Sequence, residues 1–305
     1  MAGKHQKIHQ TMADNVFDIA VNLLVIVITL IVVYPLYFVV IASLSDPDAV
    51  NSGAMLFYPV AGQGKLLNLE GYQRVFQDAR IWRGYGNTIY YTVFGTAIGL
   101  FATALAGYAL SRRDLVGRGV ITGLFVFTMY FSGGLIPTYM AVKNYHMTNT
   151  SAVMIILGAV SVYNIIIAKS FFQSTIGIEL QEAAFIDGCG NGRFFALIVL
   201  PLSKSILAVL TLYYAVGYWN SFFNGLIYLN DEKLYPLQLV LRDILVASQM
   251  LAADVTDIES IGDAQRIAES LKYGVIIVST LPVLILYPFL QKYFVKGVMI
   301  GSVKG

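Results

Sequence analysis

The sequence predicts an all-α polytopic membrane protein: six transmembrane helices, both termini in the cytosol, and a cytosolic helical bracket between spans 4 and 5. Three observations carry this. Mean hydropathy is +0.68 and only 12% of the 305 residues are charged, a balance foreign to a water-soluble globule of this length. Six uncharged intervals are long enough to cross a hydrocarbon core: Asp18 to Asp46, Arg83 to Arg112, Arg118 to Lys143, Lys143 to Lys169, Lys204 to Asp231 and Lys272 to Lys292. Finally, the loop after the second span carries Arg112, Arg113 and Arg118, whereas the loop after the third carries only Lys143. Short-loop bases stay inside, so the even loops are cytosolic.

Residues 1–16 read as a polar cytosolic tail. His5 and His9 stand at i and i+4 there, but two ligands on a terminal tail do not make a metal site. The apolar run Ile19 to Leu44 is too long for a cleaved leader and reads as the first span. The transmembrane domain covers 17–295, and 296–305 form a cytosolic tail. In the first exterior loop, "GQGKL" at Gly62 to Leu66 departs from a phosphate loop. Pro59 stands where the first glycine belongs, and Leu66 where Ser or Thr would hold magnesium. The second span ends in small residues (Ala102, Ala104, Ala106, Gly107) that permit close helix packing. Gly133, Gly134 and Pro137 interrupt the third interval. Segment 229–271 reads as an exterior loop with eight acids against three bases, in which Leu237, Leu239 and Leu241 are apolar anchors for an external partner. Pro282 and Pro288 are placed to kink the last span.

Several functions are excluded. The predicted spans hold no ionisable group near their centres, so proton relays and buried acid–base chemistry have no residues to run on. No Gly-x-Ser-x-Gly elbow occurs. "GCGNG" at Gly188 to Gly192 lacks a βαβ setting and has Arg193 in place of the last glycine of a dinucleotide fingerprint. A net charge of +2 gives no reason to expect nucleic acid, and Cys189, the single cysteine, forbids an internal disulfide. The loop 173–203 is too polar for lipid and too apolar for a linker. It reads as a helix from about Leu180 to Asp187, with Glu179 and Glu182 near its positive end and Gly188 left-handed just beyond it. A second helix runs from about Asn191 towards Leu200, and Pro201 marks the bend into span 5.

"EAAFIDGCGNGRFFALIVLPL", Glu182 to Leu202, resembles the EAA signature of ABC importer permeases: Glu-Ala-Ala, three residues, Gly, nine residues, Ile-x-Leu-Pro. "AGYALSRRDLVGRG", Ala106 to Gly119, is similar to the end of the second span in maltose-type carbohydrate permeases, and "FVKGVMIGSVKG", Phe294 to Gly305, to their tail. The resemblance implies that the bracket is an EAA coupling helix whose Glu182, Ala183, Ala184, Asp187, Gly188 and Pro201 serve docking of a cytosolic ATPase. It implies that Gly301, Val303, Lys304 and Gly305 reach the ATPases too. The implied partners are a second permease, two ABC ATPases that carry the ATP and Mg, and an extracytoplasmic sugar-binding protein, in a bacterial cytoplasmic membrane. No cofactor and no catalysis are implied for this chain.

For the sugar, the fifth span offers "YYAVGYWNSFFNG", Tyr213 to Gly225. Tyr214, Tyr218 and Phe222 share one helical face, and Trp219, Asn220, Phe223 and Asn224 another. Aromatic faces stack on pyranose rings and amides bond hydroxyls, so Tyr214, Tyr218, Trp219, Asn220 and Asn224 are candidates for a substrate path. An interfacial aromatic belt reads the same way. Two rival functions stay open: a permease for another solute, and a stand-alone channel or secondary transporter.

Overall fold

The computed structural model describes residues 11–55, 57–61, 67–254, 266, 268–285 and 288. His5, His9, the "GQGKL" stretch and the tail from Gly297 to Gly305 lie outside the described residues. Those described are helical or irregular, with no strand among them. They fall into two units, 1–75 with 248–277 and 76–247 with 278–305.

In the first unit, α1 (Met12–Ser43) opens on a capping box. Thr11 Oγ1 accepts from the Asp14 N–H at 3.2 Å, and the Asp14 carboxylate accepts from the Thr11 N–H at 2.9 Å. Its 32 residues reach about 48 Å, beyond the ~30 Å hydrocarbon core. Residues 12–37 are exposed although they are mostly apolar, and only the end of the helix is buried, where Ile41 and Ala42 pack with Met55. A bare apolar helix of this length is stable only when lipid or another membrane protein covers it. α2 (Pro47–Asn51) is capped by Asp46. From α3 (Glu70–Gln77), Tyr72 donates to Ser43 Oγ at 2.7 Å, and a β-carbon on Gly71 would strike the Ser270 carbonyl. Arg266 reaches Asp46 and Asp48 at 3.4 and 3.1 Å, tying this point of segment 229–271 to the start of α2.

The second unit is built on α4 (Ala79–Ser111). α5 (Arg118–Tyr130) and α6 (Leu135–Asn144) meet at 111°, where the sequence places Gly133 and Gly134. There follow α7 (Ser151–Ile156), α8 (Val162–Thr175) and α9 (Ile178–Ile186). α10 (Asn191–Phe194) runs through a π-helical turn (Phe195–Val199) into α11 (Leu200–Leu202), and α12 (Lys204–Trp219) departs at 83°. α13 (Phe222–Tyr228) lies within this unit, which also takes α14 (Leu237–Asp254) up to Ala247 and α15 (Ala268–Ile285) from Val278 onward. α4 packs chiefly on α8 and α12. Its glycines allow this: a β-carbon on Gly95 would fall on the Tyr218 ring, one on Gly99 would lie 2.9 Å from the Tyr214 ring, and one on Gly107 2.7 Å from Ala168 Cβ.

Among the described residues, α1, α4 and α15 are each long and apolar enough to cross a membrane, and the two bent pairs raise the total to five if each counts as one span. Two expectations change. The fourth uncharged interval is not one helix but α7 and α8 with an irregular link. Tyrosines make that break tenable: Tyr218 donates to the Ile155 carbonyl at 2.6 Å, and Tyr214 Oη accepts from the Ser161 N–H at 3.1 Å, so freed backbone groups have partners away from water. Segment 229–271, read as a loop, holds helix α14. Leu237, Leu239 and Leu241 are 0, 1 and 2% exposed, so they anchor α14 in the unit and are not free for an external partner. The Leu237 N–H donates to Thr88 Oγ1 at 2.8 Å, which fixes the start of α14 on α4.

Replacing Gly95 by Ala is expected to destabilise the protein by about 1–3 kcal/mol through overpacking against Tyr218. Gly123→Ala, where nothing lies within 4 Å of the added carbon, serves as the control. A thermal melt in detergent in which both variants match the native chain would refute the close α4–α12 approach.

Candidate coupling bracket and substrate groove

α9 begins at Ile178, two residues earlier than the sequence suggests, with Gly177 as an N-cap that offers no side-chain bond and Asp187 as its C-cap. It closes with two bonds that reach back over the last turn. Cys189 N–H donates to Ala184 O at 2.9 Å and Gly188 N–H to Phe185 O at 3.0 Å, with Gly188 at φ +75°. This is a Schellman closure, which needs a residue tolerant of the left-handed region. Nothing lies within 4 Å of a β-carbon built on Gly188, so any cost there is one of backbone conformation.

Inside the bracket Ala184 is buried with Phe194, Phe195 and Val199, in a cluster that includes Phe172 of α8 and Ile206 and Leu210 of α12. Outside it, Glu179, Glu182, Ala183, Asp187 and Gly188 are exposed, and Ile186 is 86% exposed. Pro201 has no N–H to offer the carbonyl of Leu197. The helix widens to π geometry over Phe195–Val199 just before it and turns at the fully buried Ser203. Just beyond the C-terminal end of α4, Arg112 pairs with Asp114 at 2.9 Å. That guanidinium holds the Asp114 carboxyl below its ordinary range. A carboxylate with a lowered pKa stabilises the fold above its unfolded value, so the pair persists at neutral pH and is lost as pH falls through the lowered one.

A groove of about 770 Å³ opens between α8, α12 and α13. Tyr163, Asn164, Tyr213, Tyr214, Tyr218 and Asn224 line it, and among the described residues no acidic or basic side chain does. Of the residues singled out from the sequence, Tyr214, Tyr218 and Asn224 come together here. Trp219 and Asn220 are not in the lining: Trp219 is buried and donates from Nε1 to the Ser279 carbonyl at 2.9 Å, and Asn220 Nδ2 bonds Val216 O at 2.9 Å. Tyr214 and Tyr218 are also committed within the fold, Tyr214 sharing a 2.6 Å hydrogen bond with Thr103. The tyrosines with faces to spare are Tyr163 and Tyr213, 56 and 45% exposed. Sequence reasoning passed over both. Tyr213 was within the quoted run and Gly217, one turn later, leaves space beside it, but Tyr163 gave no signal because its element was taken for an uninterrupted span.

The Trp219 bond has a partner bond and a common cause. Pro282 lacks the N–H that an α-helix would give to the Val278 carbonyl. Tyr85 Oη supplies a proton to that oxygen, and Trp219 bonds the next carbonyl along, while the Tyr85 and Trp219 rings stand 6.3 Å apart. α4 and α12 thus hold α15 at its proline.

A polytopic helical protein with an exposed, glycine-closed bracket and an uncharged aromatic groove has the parts of a transport subunit. No protein-family model matches the chain. It is 39% identical over 297 residues to Protein LplC of Bacillus subtilis (strain 168), covering 97% of this chain and 98% of that protein. It is 38% identical over 294 residues to the polygalacturonan/rhamnogalacturonan transport system permease protein YtcP of the same organism, covering 96 and 100%. The fold is similar, with a TM-score of 0.79 and 29% identity over 94% of this chain and 100% of the other, to a chain from the crystal structure of a bacterial ABC transporter involved in the import of the acidic polysaccharide alginate. The chain therefore belongs to the family of carbohydrate ABC importer permeases. As such it is a multi-pass protein of the bacterial cytoplasmic membrane and a transport subunit.

Trp219→Phe keeps the ring but removes the indole donor. A loss of about 0.6 kcal/mol is expected, as for hydrogen bonds between membrane helices. Tyr85→Phe is expected to match it, measured by steric-trap or denaturant unfolding in bicelles. Uptake that falls far more than folded protein, in Trp219→Phe alone, would place the indole on the sugar instead.

Proposed function

We propose that this chain forms half of the membrane channel of an ATP-driven importer, passing a sugar or oligosaccharide from an extracytoplasmic binding protein to the cytosol by alternating access. A second permease completes the channel, and two separate ABC ATPases hold the ATP and Mg. The chain crosses the membrane six times between 17 and 295 with both ends inside, and the fourth crossing combines α7 and α8. The observation that carries this reading is the bracket. α9 presents Glu182, Ala183, Asp187 and the nearly bare Ile186 on a helix closed at Gly188, and with Ile178, Leu180 and Phe185 of the same short helix also exposed, this concentration of bare apolar side chains suits a protein partner. Glu182, Ala183, Ala184, Asp187, Gly188 and Pro201 then set the docking surface and its angle. The tail residues Gly301, Val303, Lys304 and Gly305 extend the same contact, and segment 229–271 faces the binding protein.

The groove suits a sugar. Tyr163 and Tyr213 offer ring faces for pyranose stacking, and Asn164 and Asn224 offer amides for hydroxyls. With no base in the lining, this wall reads rings and hydroxyls, not carboxylates.

Gly188→Val must place a branched residue in the left-handed region, at a cost of about 1–2 kcal/mol or more. The variant is expected to insert normally but to lose its ATPases on purification and to abolish uptake, with Glu182→Ala a milder version. Native uptake by Gly188→Val at equal membrane abundance would reject the docking role. Separately, Tyr213→Ala is expected to raise the half-saturating sugar concentration in proteoliposomes about threefold to tenfold, the worth of a stacking contact, without affecting ATPase retention.

A further inference from the structure

Arg112 is the first residue beyond α4, and its extended backbone (φ −68°, ψ 135°) turns the side chain back on the helix. The side chain is only 8% exposed. Each of its three guanidinium nitrogens donates a hydrogen bond. Nε and Nη2 donate to the two oxygens of Asp114 at 2.9 and 3.0 Å, and Nη1 donates to Tyr108 Oη at 2.9 Å. The flat face lies 5.1 Å from the centroid of Phe185, on α9, and 5.6 Å from that of Tyr108. Its carbonyl accepts from Arg118 Nη1 at 3.2 Å. The neighbouring rings carry the contact into the second arm of the bracket: Phe185 lies 6.0 Å from Phe194, and Tyr108 lies 5.0 Å from Phe195. One planar cation thus joins the end of α4 to the coupling bracket.

We propose that Arg112 is a positioning residue for energy coupling, a clamp that makes the α9 bracket move with α4. This rests on the reading of α9 as the ATPase-docking helix. The chemistry favours the clamp over a solubilising surface charge. A surface ion pair contributes almost nothing, whereas a guanidinium that is both forked onto a carboxylate and stacked on rings fixes orientation as well as distance. The far side of α4 explains what such a clamp transmits. The same helix bonds Tyr214 through Thr103 and seats the Tyr218 ring on Gly95, and both tyrosines line the groove. A rearrangement there shifts α4, and α4 ends at Arg112.

The test uses the whole importer in proteoliposomes with its ATPases and binding protein. Lysine keeps the charge but has neither fork nor plane. Arg112→Lys is expected to cut the ratio of binding-protein-stimulated to unstimulated ATP hydrolysis about tenfold, within the range of about twofold to thirtyfold for a residue that modulates coupling without touching either ligand. Phe185→Leu is expected to give a similar loss, and the double variant no more than either single, because both remove one shared contact. A merely structural role predicts an unchanged ratio with less complex recovered, and that outcome overturns the proposal, as does a native ratio in Arg112→Lys. Gly188→Val, assayed alongside, separates the two readings. If it uncouples while Arg112→Lys does not, the clamp alone is wrong; if Gly188→Val retains its ATPases and full stimulation, the docking bracket itself is wrong.

Discussion

The seam between α4 and the tyrosines of α12 is the constraint on which the second unit depends. Within a bilayer, helices gain little from hiding apolar surface from each other, since lipid is equally apolar, and association rests on close packing and hydrogen bonds. Gly95 and Gly99 let the Tyr218 and Tyr214 rings lie directly on the α4 backbone, a position any β-carbon would occupy. From there the two hydroxyls reach past α4 to Ile155 O and the Ser161 N–H. The same pair of side chains therefore packs one helix and satisfies the broken backbone between α7 and α8. Without them that irregular stretch would carry unmet polar groups into the interior of a membrane protein, at several kcal/mol each.

Prolines shape the rest by the bonds they omit. Pro201 precedes the turn at Ser203 and follows a π-helical stretch, so the bracket leaves α12 at a steep angle. Pro282 leaves the Val278 carbonyl without its helical donor, and Tyr85 and Trp219 use the opening to grip α15. In both places a missing backbone N–H becomes a fixed geometry because a neighbouring element supplies what the helix cannot.

The functional parts divide along α4. The groove is neutral and aromatic, which suits a ligand recognised through ring faces and hydroxyls. The bracket is rigid within itself, through the Gly188 closure, and tethered without, through Arg112.

What the sequence by itself determined is whatever depends on short-range pattern. Hydropathy revealed a membrane protein. The glycine and proline positions located the break in the third interval and the turn of the bracket, since Gly188 needs only its own backbone to be left-handed. The EAA spacing pointed to the family on its own. What only the tertiary structure decided is whatever depends on who stands opposite. An uncharged interval says that a segment can lie in lipid, not that it is one helix, and the α7–α8 break exists because tyrosines more than 50 residues away satisfy it. Leu237, Leu239 and Leu241 look like free apolar anchors until all three are found buried, Leu237 beside Gly84 of α4 and Leu239 beside Gly225 of α13. Tyr214 and Tyr163 are alike as letters, yet one is bound into the core and the other bares its ring to the groove, because burial belongs to the packed chain and not to the residue.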